Sequence, residues 1–164
     1  MKRLVTLWCL LGLLSAPVLA DGHVRKKTLY ERLGGAYAIA GFVDEFVDRL
    51  FNDEVLSANP QVLEAMNRPG VNVPGLKFHI TNLVCQAAGG PEKYTGRSME
   101  DSHKHLLITR AEWDATVRIF KETMSDLKIP EPEQKELLEI VGPLEPEIVR
   151  ESGKAPDPPS AEST

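Results

Sequence analysis

Ile39-Ala40-Gly41-Phe42-Val43-Asp44-Glu45-Phe46-Val47-Asp48-Arg49-Leu50-Phe51 places apolar side chains at 39, 42, 43, 46, 47, 50 and 51. That spacing of three and four residues lines one face of an α-helix and predicts that this face is buried. Asp44, Glu45, Asp48 and Arg49 fill the other side. A strand would alternate polar and apolar at every second position, and no segment of the chain with a clear period does so.

Downstream, a second helix is expected after Pro74-Gly75, with Leu76, Ile80, Leu83, Val84 and Ala87 as its apolar stripe and His79 inside that stripe. Gly89-Gly90-Pro91 stops it. Ser98 to Asp101 and Thr109 to Glu112 each set a hydroxyl three residues before a carboxylate, the pattern of a capping box. The first opens a short helix with Met99, His103 and Leu106 on one side. The second opens a long one carrying Trp113, Val117, Phe120, Met124 and Leu127. Pro130 ends that helix, and Pro132 starts a last one whose buried edge is Leu137, Leu138, Val141 and Leu144. Asn59 to Asn67 has room for a short helix, and Gly70 to Gly75 reads as a loop. The sum is an all-α domain of five or six helices joined by short loops.

The flanks differ from this body. Residues 1–20 read as a secretory signal: Lys2 and Arg3, then an apolar run from Leu4 to Leu14, then a small-residue exit ending Val18-Leu19-Ala20. The run is shorter than the roughly 20 apolar residues of a transmembrane helix, so no stable membrane insertion is expected after cleavage. Residues 21–27 are a polar lead-in, and 150–164 a proline-rich tail without enough apolar surface to order itself. The expected location is the bacterial periplasm.

The whole chain of 164 residues has 19 basic and 24 acidic side chains, net −5 with neutral histidine. Removing 1–20 takes away two bases and no acid, leaving 17 against 24 and net −7. Such a chain has no general attraction for phosphate backbones, which argues against nucleic acid as a partner. Of two cysteines, Cys9 leaves with the signal. Cys85 alone can form neither an internal disulfide nor a thiolate metal cluster, and it reads as a small buried hydrophobe.

The four histidines are therefore the scarce chemical groups. His23 lies in the lead-in. His105 is two positions after His103, turned away by about 200° on a helix and expected in solvent. His79 and His103 fall on apolar faces of different helices. Two neutral imidazoles across an apolar gap would suit a flat iron cofactor; alternatively each hydrogen-bonds a backbone carbonyl in the core. Spacing alone does not choose between these. No Cys-x-x-Cys-His is present, so any haem is held non-covalently.

Three motifs go further. Thr28-Leu29-Tyr30-Glu31-Arg32-Leu33-Gly34-Gly35, Gly89-Gly90-Pro91-Glu92-Lys93-Tyr94-Thr95-Gly96-Arg97 and Met99-x-x-x-His103, followed by the helix from Thr109 to Met124, resemble in order and spacing the truncated haemoglobins, most closely group 1. The resemblance covers residues 28–149. It implies a two-over-two helical sandwich around haem b, with His103 as proximal iron ligand and Met99 one turn before it. It places Phe46, Val47, Leu76, Ile80 and Leu83 around the cofactor and His79 on its distal side, where some members use a histidine as sixth iron ligand in the absence of gas; the alternative is that His79 swings outward to a haem propionate or to solvent. Lys77, Tyr94 and Arg97, with Lys93, are the residues it brings near the propionates; ordinary surface charge is the competing account of the three bases.

The departures from that pattern carry their own expectations. Val47 stands where many group 1 members have a tyrosine, Ile80 where a distal glutamine is common, and Asn59-Pro60 where a Phe-Phe pair is usual. Val47, Leu76 and Ile80 offer a bound ligand few donors besides His79. Losing one hydrogen bond to a polar ligand costs on the order of 1–3 kcal/mol, which weakens dioxygen retention by about ten- to hundredfold.

The resemblance implies reversible binding of dioxygen, NO or CO. It leaves open turnover of the nitric oxide dioxygenase or peroxidase type, or a redox role. Each would need a periplasmic electron donor, for which a small basic cytochrome suits the acidic surface. A haem-free helical adaptor or metal-handling module on the same fold is the reading of a different class.

Overall fold

The computed structural model describes residues 25–150. The signal segment, His23 and the proline-rich tail after Arg150 lie outside the described residues. Within them the elements are α1 (Leu29–Leu33), α2 (Gly35–Asn52), α3 (Glu54–Ser57), α4 (Pro60–Met66), α5 (Val73–Ala87), α6 (Met99–His103), α7 (Arg110–Asp126), α8 (Glu131–Val141) and α9 (Glu145–Ile148), with a 3₁₀ turn at Gly142–Leu144. The one β feature is an isolated parallel bridge between Ile108 and Val149.

The face predicted on α2 is the centre of the core. Ile39, Phe42, Val43, Phe46 and Val47 are all buried, and the Phe120 ring meets those of Phe42 and Phe46 edge-on at 5.1 and 5.2 Å. Such pairs add about 0.5–1.5 kcal/mol each beyond the area they bury. Ile119 and Met124 of α7, Leu137 of α8 and Cys85 of α5 complete the cluster. The antiparallel pairing of α2 with α5, set against α7 and α8, is the two-over-two sandwich.

Helix ends follow local chemistry. Thr28 and Glu31 form a reciprocal capping box on α1 that the sequence reading passed over, and Thr109 and Glu112 form the expected one on α7. The box expected at Ser98 is only half made: Ser98 Oγ accepts from the Asp101 amide, while the Asp101 carboxylate turns to Lys104 and to the Ser98 hydroxyl. α5 begins at Val73, before Pro74-Gly75 instead of after it, because proline needs no amide partner in a first turn and Asn72 Oδ1 caps Gly75. The last helix breaks at Gly142-Pro143 before reaching Leu144. Leu127, expected on the buried stripe of α7, lies past the helix end and is largely exposed.

Cys85 is fully buried, and burial together with the neighbouring Glu92 carboxylate pushes its thiol up to about 11. The native protein should therefore fail to react with a chromogenic disulfide reagent at pH 8. Full reaction is expected only after denaturation.

Candidate functional site

α5 packs along α2, whereas α6 packs on α9, and α5 and α6 are not in close packing with each other. Apolar side chains on both are correspondingly under-buried. Leu76, Ile80, Leu83, Met99 and Leu106 are half-exposed, Leu107 is 52% exposed and Phe78 61%. The exposed Phe78 and Leu107, with partly buried apolar neighbours on each side, offer apolar surface to a ligand.

His103 stands at the C-terminal end of α6 and is half-buried. Its Nδ1 lies 2.8 Å from the Met99 carbonyl oxygen. A carbonyl only accepts, so Nδ1 carries the proton. Burial lowers the pKa of this imidazole from its ordinary value, outweighing the opposing effect of the Met99 bond. The ring is thus neutral at neutral pH, and Nε2 keeps its lone pair. A hydrogen bond that fixes the tautomer of a metal-binding histidine from its other nitrogen is the usual arrangement around an iron or zinc ligand.

His79 is exposed, contrary to the stripe that placed it among buried residues. Phe78 beside it is exposed as well. The His79 ring meets Tyr94 edge-on at 6.3 Å and Phe78 at 5.6 Å. Tyr94 is fixed by its own loop: its hydroxyl donates to the Arg97 carbonyl at 2.7 Å, and its amide donates to Gln86 Oε1 at 3.0 Å. His79 and Tyr94, far apart in sequence, are therefore brought together.

Phe46 and Val47 are core residues of α2. Lys77 Nζ is held by Asp44 and Asp48 at 2.6 Å each, both on α2, so its charge is already engaged by two carboxylates. Arg97 is exposed, and among the described residues no carboxylate lies within ion-pair distance of it.

The turn after His103 also departs from expectation. α6 ends at His103, Leu107 adopts a positive φ of 50°, and His105 is half-buried instead of solvated. Burial lowers its pKa, and the positive charges of Arg68, Arg97 and Lys104 lower it further. Arg68, which also pairs with Glu64 at 3.7 Å, and Arg97 thus both lie near His105. Sequence reading missed Arg68, because nothing in its spacing links it to residue 105.

The loop Gly89–Arg97 is tied to the first helix. Tyr30 donates its amide to the Ala88 carbonyl at 2.9 Å and its hydroxyl to Glu92 Oε1 at 2.9 Å. A Cβ on Gly90 would lie 2.5 Å from the Tyr30 ring, so only glycine fits there.

The residues fit a haem on these observations: His103 is a neutral imidazole with its Nδ1 engaged and Nε2 left for a metal, apolar side chains such as Phe78 and Leu107 are exposed, and cationic side chains lie near His105. Comparison with known proteins agrees. The family model of the bacterial-like globins matches residues 28–150. The group 1 truncated hemoglobin GlbN of Mycolicibacterium paratuberculosis is 30% identical over 128 residues, covering 77% of this chain and 88% of that protein. The Synechocystis GlbN is 28% identical over 119 residues, covering 70% and 90%. Among solved structures, the Tetrahymena pyriformis truncated hemoglobin in its Fe(III) form superposes with a TM-score of 0.64 at 20% identity, over 76% of this chain and all of that one. The Synechococcus 2/2 hemoglobin, crystallised in the cyanomet state with covalently attached heme, gives 0.61 at 27% identity, over 71% and 91%. The chain belongs to the bacterial-like globin family, with an all-α two-over-two fold and haem b as its cofactor.

Proposed function

We propose that this globin is exported and binds a diatomic gas reversibly at an iron held by His103, with His79 as the resting sixth ligand. The observation that carries the proximal part is the Met99 carbonyl fixing the Nδ1 proton of His103, which leaves Nε2 as the metal-binding nitrogen. Haem supplies the gas-binding iron. The chain supplies the axial imidazole, an apolar enclosure from Leu76, Ile80, Leu83 and Met99, and cations at Arg68 and Arg97 for the propionates.

The distal part rests on His79. With Val47 and Ile80 in place of polar residues, it is the one titratable side chain of the distal helix face. Its exposed position beside Tyr94 corresponds to an open arrangement, and rotation of the side chain would close it. Export rests on the reading of residues 1–20. A role in NO removal, in which dioxygen and NO combine to nitrate and the iron is then re-reduced, would draw on a periplasmic electron donor.

Absorption spectra of the purified mature protein test this directly. A strong haem band is expected, with a six-coordinate low-spin ferric and ferrous form that CO converts to a carbonyl complex. His79→Ala should convert the ferrous resting form to five-coordinate high-spin and speed CO binding, because no internal ligand must first leave. An unchanged spectrum in that variant sinks the distal assignment. A colourless, fully folded protein sinks the haem reading altogether.

A further inference from the structure

Asn59 occupies the place where the resemblance leads one to expect an aromatic pair, and it is a polar side chain with only 7% of its surface exposed. Every hydrogen-bonding group of its amide is used. Oδ1 accepts from the Gln61 and Val62 amides at 2.9 and 3.2 Å, capping α4. Nδ2 donates to Glu112 Oε1 at 2.6 Å and to the Leu106 carbonyl at 3.1 Å.

The cap alone does not explain this residue. Capping needs an acceptor, which serine or aspartate supplies equally well. The two donors instead reach across to the other half of the molecule. Glu112 is itself buried, and its second oxygen accepts from the Thr109 amide and hydroxyl at 2.6 and 2.7 Å. Leu106 donates its amide to the His103 carbonyl at 2.8 Å. One amide side chain thus links the connector between α2 and α5 to the turn that carries His103.

That turn is otherwise held by apolar packing, of α6 on α9 and of Met99 and Leu106 against Ile108, Trp113 and Ile148. α6 is five residues long, too short to be stable by itself. The segment after it is tied at its far end by the Arg150 amide on the Ile108 carbonyl. Among the described residues, Asn59 is the side chain that hydrogen-bonds to its middle.

We propose that Asn59 is a positioning residue for the proximal ligand: by holding the Leu106 carbonyl and Glu112 it sets the orientation in which His103 meets the iron. The inference rests on the assignment of His103 as that ligand. The competing account is that Asn59 supports the fold and nothing more.

Two variants separate these accounts, both in a His79→Ala background so that ferrous iron has His103 as its protein ligand. Asn59→Ser keeps the cap oxygen but is too short to reach Leu106 or Glu112. Asn59→Asp combined with Glu112→Gln keeps the cap and re-forms the link to residue 112 with donor and acceptor exchanged, but gives the Leu106 carbonyl no donor. The readouts are the iron–imidazole stretching band in the resonance Raman spectrum, haem transfer to excess apomyoglobin, and the thermal midpoint.

Asn59→Ser is expected to move and broaden the band and to speed haem transfer about tenfold, the effect of leaving a buried polar group without its partner. The exchanged pair should recover only the part of the thermal midpoint that comes from the link to residue 112, because the Leu106 carbonyl still lacks a donor, while the band and the fast transfer stay altered. If Asn59→Ser lowers only the midpoint, or if the exchanged pair restores all three readouts, the positioning role is overturned. Absence of any iron–imidazole band in the parent overturns the His103 assignment, and this inference with it.

Discussion

His103→Ala should abolish haem retention through purification, and His105→Ala should not. The two residues are separated by one lysine and both are half-buried, so a general loss of stability near the site would affect them alike. The difference comes from their partners. His103 has its Nδ1 proton committed to the Met99 carbonyl and a free Nε2, while burial and then the positive charges of Arg68, Arg97 and Lys104 hold His105 below its ordinary pKa, and no hydrogen bond fixes its tautomer among the described residues. Removing a group that merely orients a metal ligand costs about 10–100-fold in affinity, and removing the ligand itself costs more. Haem affinity in His103→Ala should therefore fall by more than roughly 100-fold. Titration of the apoprotein with haemin measures it, and free imidazole in the buffer should restore part of the spectrum. Equal retention by the two variants would show that iron is held elsewhere.

Gly90→Ala should destabilise the fold strongly. The new Cβ would stand 2.5 Å from Tyr30 Cδ2 and 2.7 Å from Glu92 Oε2. The ring cannot slide aside freely, since its hydroxyl is bonded to Glu92 and its backbone to Ala88. Overpacking of this kind costs about 2–3 kcal/mol, or roughly 10 °C in Tm for a domain of this size. Gly41→Ala is the matched control. Gly41 lies inside α2 with nothing within 4 Å of a built Cβ, so alanine should raise stability by about 0.5–1 kcal/mol through helix propensity and a less flexible unfolded chain. Thermal melts of the two variants should move in opposite directions. Similar behaviour would mean that the Tyr30 contact is not tight in solution.

The Gly90 contact also explains what was legible in the sequence. Leu-Tyr-Glu-Arg-Leu-Gly-Gly and Gly-Gly-Pro-x-x-Tyr-Thr-Gly are two motifs nearly sixty residues apart, and they are informative because they touch: Tyr30 rests on Gly90 and bonds Glu92. The α2 stripe was equally readable, since a helix that buries one full face must repeat its apolar residues at helical spacing. The family, the helical class and the capping box at Thr109 followed from patterns of this local kind.

Three features were not readable, each for a physical reason. Asn59 looks like a routine N-cap, and its reach to Leu106 and Glu112 depends on a fold that brings residues about fifty apart together. Lys77 appears free in the sequence, but α5 lies along α2 and delivers it to Asp44 and Asp48. His79 fits the apolar period of α5, yet a period cannot say where a helix edge leaves the core. The brief helices α3 and α9 hold so few residues that no period is expressed in them at all, whereas the short helix expected between Asn59 and Asn67 is α4.

The bridge between Ile108 and Val149, with the Arg150 amide on the Ile108 carbonyl, has a consequence for how the molecule is made. Translation delivers α1 to α5 first, and these can pack together through α2 and α5 while the rest is still being synthesised. The turn that carries His103 acquires its outer tether only when the chain has been extended through residue 150. One wall of the cofactor site is thus available early and the other only near the end of synthesis, so the globin becomes able to grip its iron as one of the last events of its biogenesis.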